Sequence, residues 1–194
     1  MAHPGLPVPP SDEQLLDRVL RGERAALDDL FRQHREMAYR VAYRLLGNEE
    51  DALDAVQEAF VKVLTHVQGF QGRSSFKTWL LRVVSNAALD LGRQRGRRDL
   101  LHREELPAGA EREPPAAAHE PSFELERADL RRILTEALAQ LPDAQRQTFV
   151  LHVEGGLSYR EVADVLEISI GTVMSRLFYT RQKLRAILAD RVPI

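Results

Sequence analysis

The 194-residue chain contains no cysteine. That excludes disulfides, cysteine-based zinc sites, iron–sulfur clusters and thiol redox sensing. Its six histidines (His3, His34, His66, His102, His119, His152) show no metal-ligand spacing, so no metal is expected. No apolar run reaches transmembrane length, and no direct membrane insertion is expected. Met1–Pro10 has neither a basic leader nor an apolar stretch, so no secretion signal is read there and a cytoplasmic protein is expected. Walker A, nucleophile-elbow and HExxH motifs are all missing, as is a His/Asp pairing. The Glu-x-x-His pairs that a metal site in a helical bundle requires are missing too. The sequence therefore predicts no catalytic residue, no cofactor and no small-molecule substrate. Alternation of strand type is also lacking: Val61–Val63 and Val83–Val84 sit inside helical periodicity.

What the chain has is an uneven charge. The net charge of −2 resolves into −4 over residues 11–64, +6 over 65–103, −6 over 104–129 and +2 over 130–194. Two basic surfaces separated by an acidic segment is the pattern this predicts. Glu104–Ser122 holds Pro107, Gly109, Pro114, Pro115, Pro121 and five alanines among acidic residues. Such a stretch cannot supply a core and reads as a flexible linker. The chain divides into residues 11–100, a linker at 101–122, and 123–194.

Both halves predict helices, giving an all-α protein of two small domains. Ser11 and Gln14 have capping-box spacing before a helix that stops near Gly22. Leu27, Leu30, Phe31, Ala38, Val41 and Leu45 form an apolar stripe stopped by Gly47. Asn48 caps a helix that buries Ala52, Val56, Ala59, Phe60 and Val63. A loop, Gln68–Ser74, precedes a helix capped by Ser74 or Ser75, with Phe76, Leu80, Val83, Ala87 and Leu91 on one face. In the second half, helices are expected over 123–140, from Pro142 to Gly155, from Ser158, and from about Ser169 onward.

Three constellations carry chemistry. Leu157–Arg185 reads as a helix-turn-helix, turning at Glu167–Ile170. Its second helix opens with Gly171, Thr172, Ser175 and Arg176 and continues into Arg181, Lys183 and Arg185. Small groups followed by a basic stripe suit entry into a major groove. Gln68–Arg98 combines Phe70, Phe76 and Trp79 with Arg73, Lys77, Arg82, Arg93, Arg95, Arg97 and Arg98. Aromatic rings stack on unpaired bases and arginines hold phosphates, although Phe76 and Trp79 at helical spacing equally suit a core. Asn86, Asp90 and Arg93 share one face. Asp54, Gln57 and Glu58 lie opposite the apolar stripe of their helix and suit a basic partner or simply water.

Taken in order, four strings resemble the extracytoplasmic-function (ECF, group 4) sigma factors of bacterial RNA polymerase. Asp51–Phe60 resembles the family's polymerase-binding helix, and Phe76–Asn86 with Asp90 and Arg93 resembles regions 2.3 and 2.4. Leu141–Phe149 resembles the start of region 4, and Gly156–Ala163 with Gly171–Leu177 resembles region 4.2. The resemblance implies that Asp51, Asp54, Gln57 and Glu58 bind core polymerase at its beta and beta-prime subunits. It implies that Phe70, Arg73, Lys77, Trp79, Asn86, Arg93 and Arg97 melt and read the −10 element of promoter DNA. Ser169, Gly171, Thr172, Ser175, Arg176, Tyr179 and Arg181 would read the −35 element. It further implies an anti-sigma factor as partner. No large C-terminal extension follows Ile194, so no additional sensing domain is expected. Met174 and Tyr179 depart from the basic residues common in the family and leave the −35 sequence open. A stand-alone helix-turn-helix regulator acting as a dimer is the rival, and it requires a two-fold operator.

Overall fold

The computed structural model describes residues 10–70, 72, 74–105 and 123–189. Over these residues the chain forms eight α-helices and a short 3₁₀ turn at Val67–Gly69, with no strand, in agreement with the all-α expectation. Helix α1 (Asp12–Leu20) opens with the expected capping box: Gln14 N–H donates to Ser11 Oγ at 3.3 Å, and Ser11 N–H to Gln14 Oε1 at 3.0 Å. Leu15, Leu16 and Val19 bury its inner face. His34 Nε2 lies 2.8 Å from Asp12 Oδ1 and fastens the start of α1 to the middle of α2 (Arg24–Leu46).

Gly47 ends α2 in the left-handed conformation, at φ 82°, with its N–H on the Tyr43 carbonyl. Helix α3 (Glu49–His66) follows at once. Asn48 Oδ1 accepts the Asp51 N–H at 2.8 Å, and Glu49, Glu50 and Asp51 face the positive helix end. Its buried side is Ala52, Ala55, Val56, Ala59 and Val63, small enough for α2 and α4 to pack closely on it. Ser75, not Ser74, caps α4 (Phe76–Glu105): Thr78 N–H donates to Ser75 Oγ at 3.1 Å. Helix α4 continues through residues 101–105, which the sequence places in the linker. No proline or glycine interrupts 97–105, and its Arg, Leu and Glu residues favour helix until Pro107 is near. Residues 106–122, the rest of the expected linker, lie outside the described residues.

The second half contains α5 (Phe123–Ala139), α6 (Asp143–Val153), α7 (Tyr159–Leu166) and α8 (Ile170–Ala189). The expected capping box opens α7, with Ser158 N–H donating to Glu161 Oε2 at 2.8 Å and Glu161 N–H returning to Ser158 Oγ at 3.3 Å. Glu167 closes α7 at φ 54°, a left-handed conformation costing a non-glycine residue roughly 1–2 kcal/mol. That sharp reversal sets the angle between α7 and α8. Val162, Ala163, Val165, Val173, Leu177 and Leu184 fill the space between them.

The halves pack on each other. Helices α5 and α6 lie on α2, and α6 and α7 lie on α4. The buried apolar residues of both form one continuous cluster, from Leu15 to Leu184. Gly155, just after α6, makes the approach possible. A Cβ there would stand 2.8 Å from Leu81 Cδ1 of α4 and 2.5 Å from the Leu151 carbonyl oxygen.

Candidate functional site

Three surfaces remain to be built from these helices. The first is the outer face of α3. Asp54, Gln57 and Glu58 are exposed on it, opposite the buried alanines, as the sequence predicts. Glu58 accepts from Lys62 Nζ at 2.6 Å. Asp51 is apart from them. It accepts from Asn48 Nδ2 at 2.6 Å and from Arg95 of α4, and its side chain is only 14% exposed. Burial would raise the Asp51 pKa, but hydrogen bonds from Asn48 and Arg95 and the Arg95 charge outweigh it and hold the carboxyl below its ordinary value. Its chemistry is that of an N-terminal brace. The sequence reading missed Leu53, Val61 and Leu64, all exposed on the same side as Gln57. Their spacing of eight and three residues was a legible signal, masked by an alanine-rich stripe that already satisfied the core.

The second surface runs from the 3₁₀ turn along α4. Phe70, Phe76 and Trp79 form an aromatic triangle, with centroids 5.1 Å apart for Phe70–Trp79, 6.0 Å for Phe76–Trp79 and 6.5 Å for Phe70–Phe76. Phe76 is buried, while Phe70 and Trp79 are half-buried upon it. The two readings of this cluster thus divide between its members: Phe76 is core, and the other two keep an open edge. Asn86 and Arg93 are exposed, and Arg93 stands 3.6 Å from Asp90. Arg73 and the side chain of Arg97 lie outside the described residues.

Much of this face of α4 meets the second half. Lys77 Nζ donates to the Gly156 carbonyl at 3.4 Å, and Thr78 Oγ1 donates to Glu161 Oε1 at 3.0 Å. Arg82 pairs with Glu167 and also reaches the Asp164 carbonyl. Gln147 Nε2 donates to Ser85 Oγ at 3.3 Å. Asn86 stands at the rim of the resulting cleft of about 250 Å³ beside Arg82, Gln147 and Glu167. Glu161 accepts hydrogen bonds from the side chain and backbone of Ser158, which outweigh its burial and, with Thr78 and Lys77, hold its carboxyl below the ordinary glutamate value.

The third surface is the exposed side of α8. Thr172 N–H donates to Ser169 Oγ at 3.0 Å, and the two hydroxyls lie 2.9 Å apart. Ser175 Oγ donates to the Thr172 carbonyl at 3.0 Å. Gly171, Ser175, Tyr179 and Arg181 are exposed, whereas Thr172 and Arg176 are half-buried along the flank of the Val173–Thr180 stripe. A helix so mounted, with small residues at its start, can lie in a major groove.

Residues 30–98 match the Sigma-70 region 2 family, and residues 131–184 match the Sigma-70, region 4 family. Over 189 residues the sequence is 41% identical to the ECF RNA polymerase sigma factor SigE of Mycolicibacterium smegmatis, covering 94% of this chain and 71% of that protein. The chain belongs to the ECF sigma factors. The RNA polymerase sigma-H factor of Pseudomonas aeruginosa is 31% identical, over 89% of this sigma factor and 91% of its relative. Among solved structures, CnrH in complex with the cytosolic domain of CnrY is similar at a TM-score of 0.71 and 25% identity, over 93% of this chain and 99% of that one. The Bartonella quintana sigma factor RpoE, solved with the anti-sigma factor NepR, shares the fold at a TM-score of 0.61 and 23% identity, over 84% of this chain and 99% of that one. The first surface and the second fall within the region 2 match, and the third within region 4. This protein is an alternative sigma factor that directs RNA polymerase in transcription initiation.

Proposed function

We propose that the work is divided among the three surfaces. The outer face of α3 docks on core polymerase at its beta and beta-prime subunits, through Asp54, Gln57 and Glu58 with Leu53, Val61 and Leu64 beside them. The 3₁₀ turn and α4 hold the −10 element as a single strand, with Phe70 and Trp79 stacking on bases and Lys77, Asn86 and Arg93 following the strand. Helix α8 reads the −35 element as duplex. The polymerase supplies the chemistry, and no catalytic role falls to this chain. Among the described residues no helix is long and apolar enough to cross a membrane, and the site of action is where polymerase and promoter are, in the cytoplasm.

The observation that carries this reading is that exposed α3, the aromatic edge on α4 and the exposed face of α8 sit on separate helices of one chain, so each partner has a surface of its own. The packing of α7 on α4 engages Lys77 and Arg82, so the halves must part before a strand can follow α4. An anti-sigma factor is a fitting regulator, since a similar sigma factor was solved with one. Such a partner would act by holding the halves together.

Run-off transcription from genomic fragments, with core polymerase alone and with this chain added, tests the proposal. Defined start sites should appear only with the chain. The same starts from core polymerase alone would defeat it.

A further inference from the structure

Two further side chains, Met174 and Phe178, stand on the third surface. Met174 is 55% exposed and Phe178 is 56% exposed, on the outward side of α8 that also carries Ile170 and Tyr179. They lie four residues apart, and Arg181 and Arg185 continue the same stripe three and seven residues further on, both exposed. The stripe is therefore apolar at the end nearest the helix-turn-helix and cationic beyond it. A polyanion that presents apolar features fits both parts. An apolar protein groove would match only the first.

The polar side chains in the first turns of α8 are poorly placed to compete for bases. The hydroxyls of Ser169, Thr172 and Ser175 are all engaged within the helix and its cap. Arg176 is half-buried on the flank between Val173 and Thr180, which suits a phosphate at the groove wall. In a major groove, the feature that an exposed thioether or phenyl group can recognise is the 5-methyl group of thymine. Four helical residues rise about 6 Å, close to two base steps at roughly 3.4 Å each. Met174 and Phe178 can each meet a methyl about two base pairs apart.

We propose that this sigma factor reads the −35 duplex through thymine 5-methyl groups, held against Met174 and Phe178. The proposal rests on the assignment of α8 to the −35 duplex, and the test separates the two. A promoter is first selected by run-off transcription with holoenzyme made from core polymerase and the full chain. Each −35 thymine is then replaced by deoxyuridine, which removes the methyl and leaves every hydrogen-bonding group in place. Holoenzyme affinity is measured by competition, with the wild type, Met174→Ala, Phe178→Ala and the apolar control Met174→Leu.

At one or two thymines, deoxyuridine should weaken the wild type about fourfold, equivalent to about 0.8 kcal/mol for one buried carbon group. Met174→Ala or Phe178→Ala should erase that difference, and Met174→Leu should keep it. Deoxyuridine without effect at every −35 thymine would overturn the proposal, as would an equal loss in the wild type and both alanine variants. Alanine variants that lose core polymerase while keeping the full deoxyuridine effect would place these side chains on a protein interface and also overturn it. If holoenzyme selects no promoter, the parent assignment falls with it. Normal selection with silent deoxyuridine removes the methyl reading alone. Because both side chains are exposed, unchanged helical content in each variant is expected and is checked by circular dichroism.

Discussion

Arg44 Nε donates to Glu154 Oε1 at 2.9 Å, and these side chains are only 13% and 21% exposed. Arg44 Nη1 also donates to Thr135 Oγ1 at 3.1 Å, so one guanidinium of α2 holds both α5 and the end of α6. The pair joins residues 110 apart in sequence and ties region 2 to region 4. With Arg82–Glu167 on α4, it makes the packed arrangement of the halves a matter of a few charged bonds around an apolar seam.

Breaking these bonds should loosen the halves without unfolding them. Glu154→Ala removes one charge-assisted hydrogen bond of Arg44 from a shielded place, at a cost of about 1.5–3 kcal/mol. Glu167→Ala should cost less, because Glu167 is largely exposed. The chain has no cysteine, so Gln33→Cys and Gln182→Cys provide a clean dye pair on exposed positions of α2 and α8. Energy transfer should fall in Glu154→Ala, and further in the double variant. Unchanged transfer in both would show that the seam alone holds the halves.

Gly155→Ala offers a steric version of the same test. The new Cβ would collide with Leu81 Cδ1 and the Leu151 carbonyl. Thermal unfolding should shift down by an amount typical of core overpacking, about 1–3 kcal/mol, and inter-helix energy transfer should fall with it. Leu81→Ala in the same chain should restore part of the loss of docking.

On the polymerase face, Asp54→Lys with Glu58→Lys should weaken core binding about tenfold or more, equal to about 1.4 kcal/mol, with helical content unchanged. Asp51→Ala should behave differently. Its carboxylate braces Asn48 and Arg95, so the variant should lose about 1 kcal/mol of stability while its core affinity stays near that of the wild type. Titration of core polymerase beside thermal melts distinguishes the two effects.

Acid should act through Glu161. Its folded-state pKa is depressed, so its contribution is present above the ordinary glutamate value and is lost as pH falls through the lower, folded value. Hydrogen exchange of α7 and energy transfer between α2 and α8 should therefore hold steady down to about pH 4.3 and change below it. Glu161→Gln keeps capping-box geometry and should flatten that response. A transition centred above the ordinary glutamate value would assign it to another group.

The helix boundaries were legible wherever a cap or a glycine writes them locally. Ser11–Gln14, Asn48, Ser158–Glu161 and Gly47 all act at the positions their side chains or backbone freedom imply. Helix α4 overran its expected end because nothing in 101–105 opposes helix, while the composition of the linker was averaged over a longer stretch. Gly155 and Gly156 show the limit most clearly. As a pair they signal a helix stop, but they serve different ends: Gly156 takes φ 62°, and Gly155 makes room for a leucine from the other half. No local pattern reports a contact between positions 81 and 155. For the same reason the docking of region 4 on α4, through Arg82 and Glu167, was invisible in a sequence that separates them by an acidic stretch. Met174 stood out in the sequence as an apolar residue where the family is commonly basic, whereas nothing local marked Phe178 as its exposed neighbour on the same stripe.

Permanganate footprinting of promoter thymines tests the central claim most directly. With core polymerase and the wild-type chain, thymines around the −10 element should become reactive on duplex promoter. Asn86→Ala should lose much of that reactivity on duplex DNA and regain transcription on a template already opened there, because unpaired bases must be exposed before they can be held. A −35 variant such as Arg176→Ala should weaken binding without that rescue. Reactive thymines with core polymerase alone, or equal defects in both variants with no rescue by an opened template, would contradict the division of labour between the two regions.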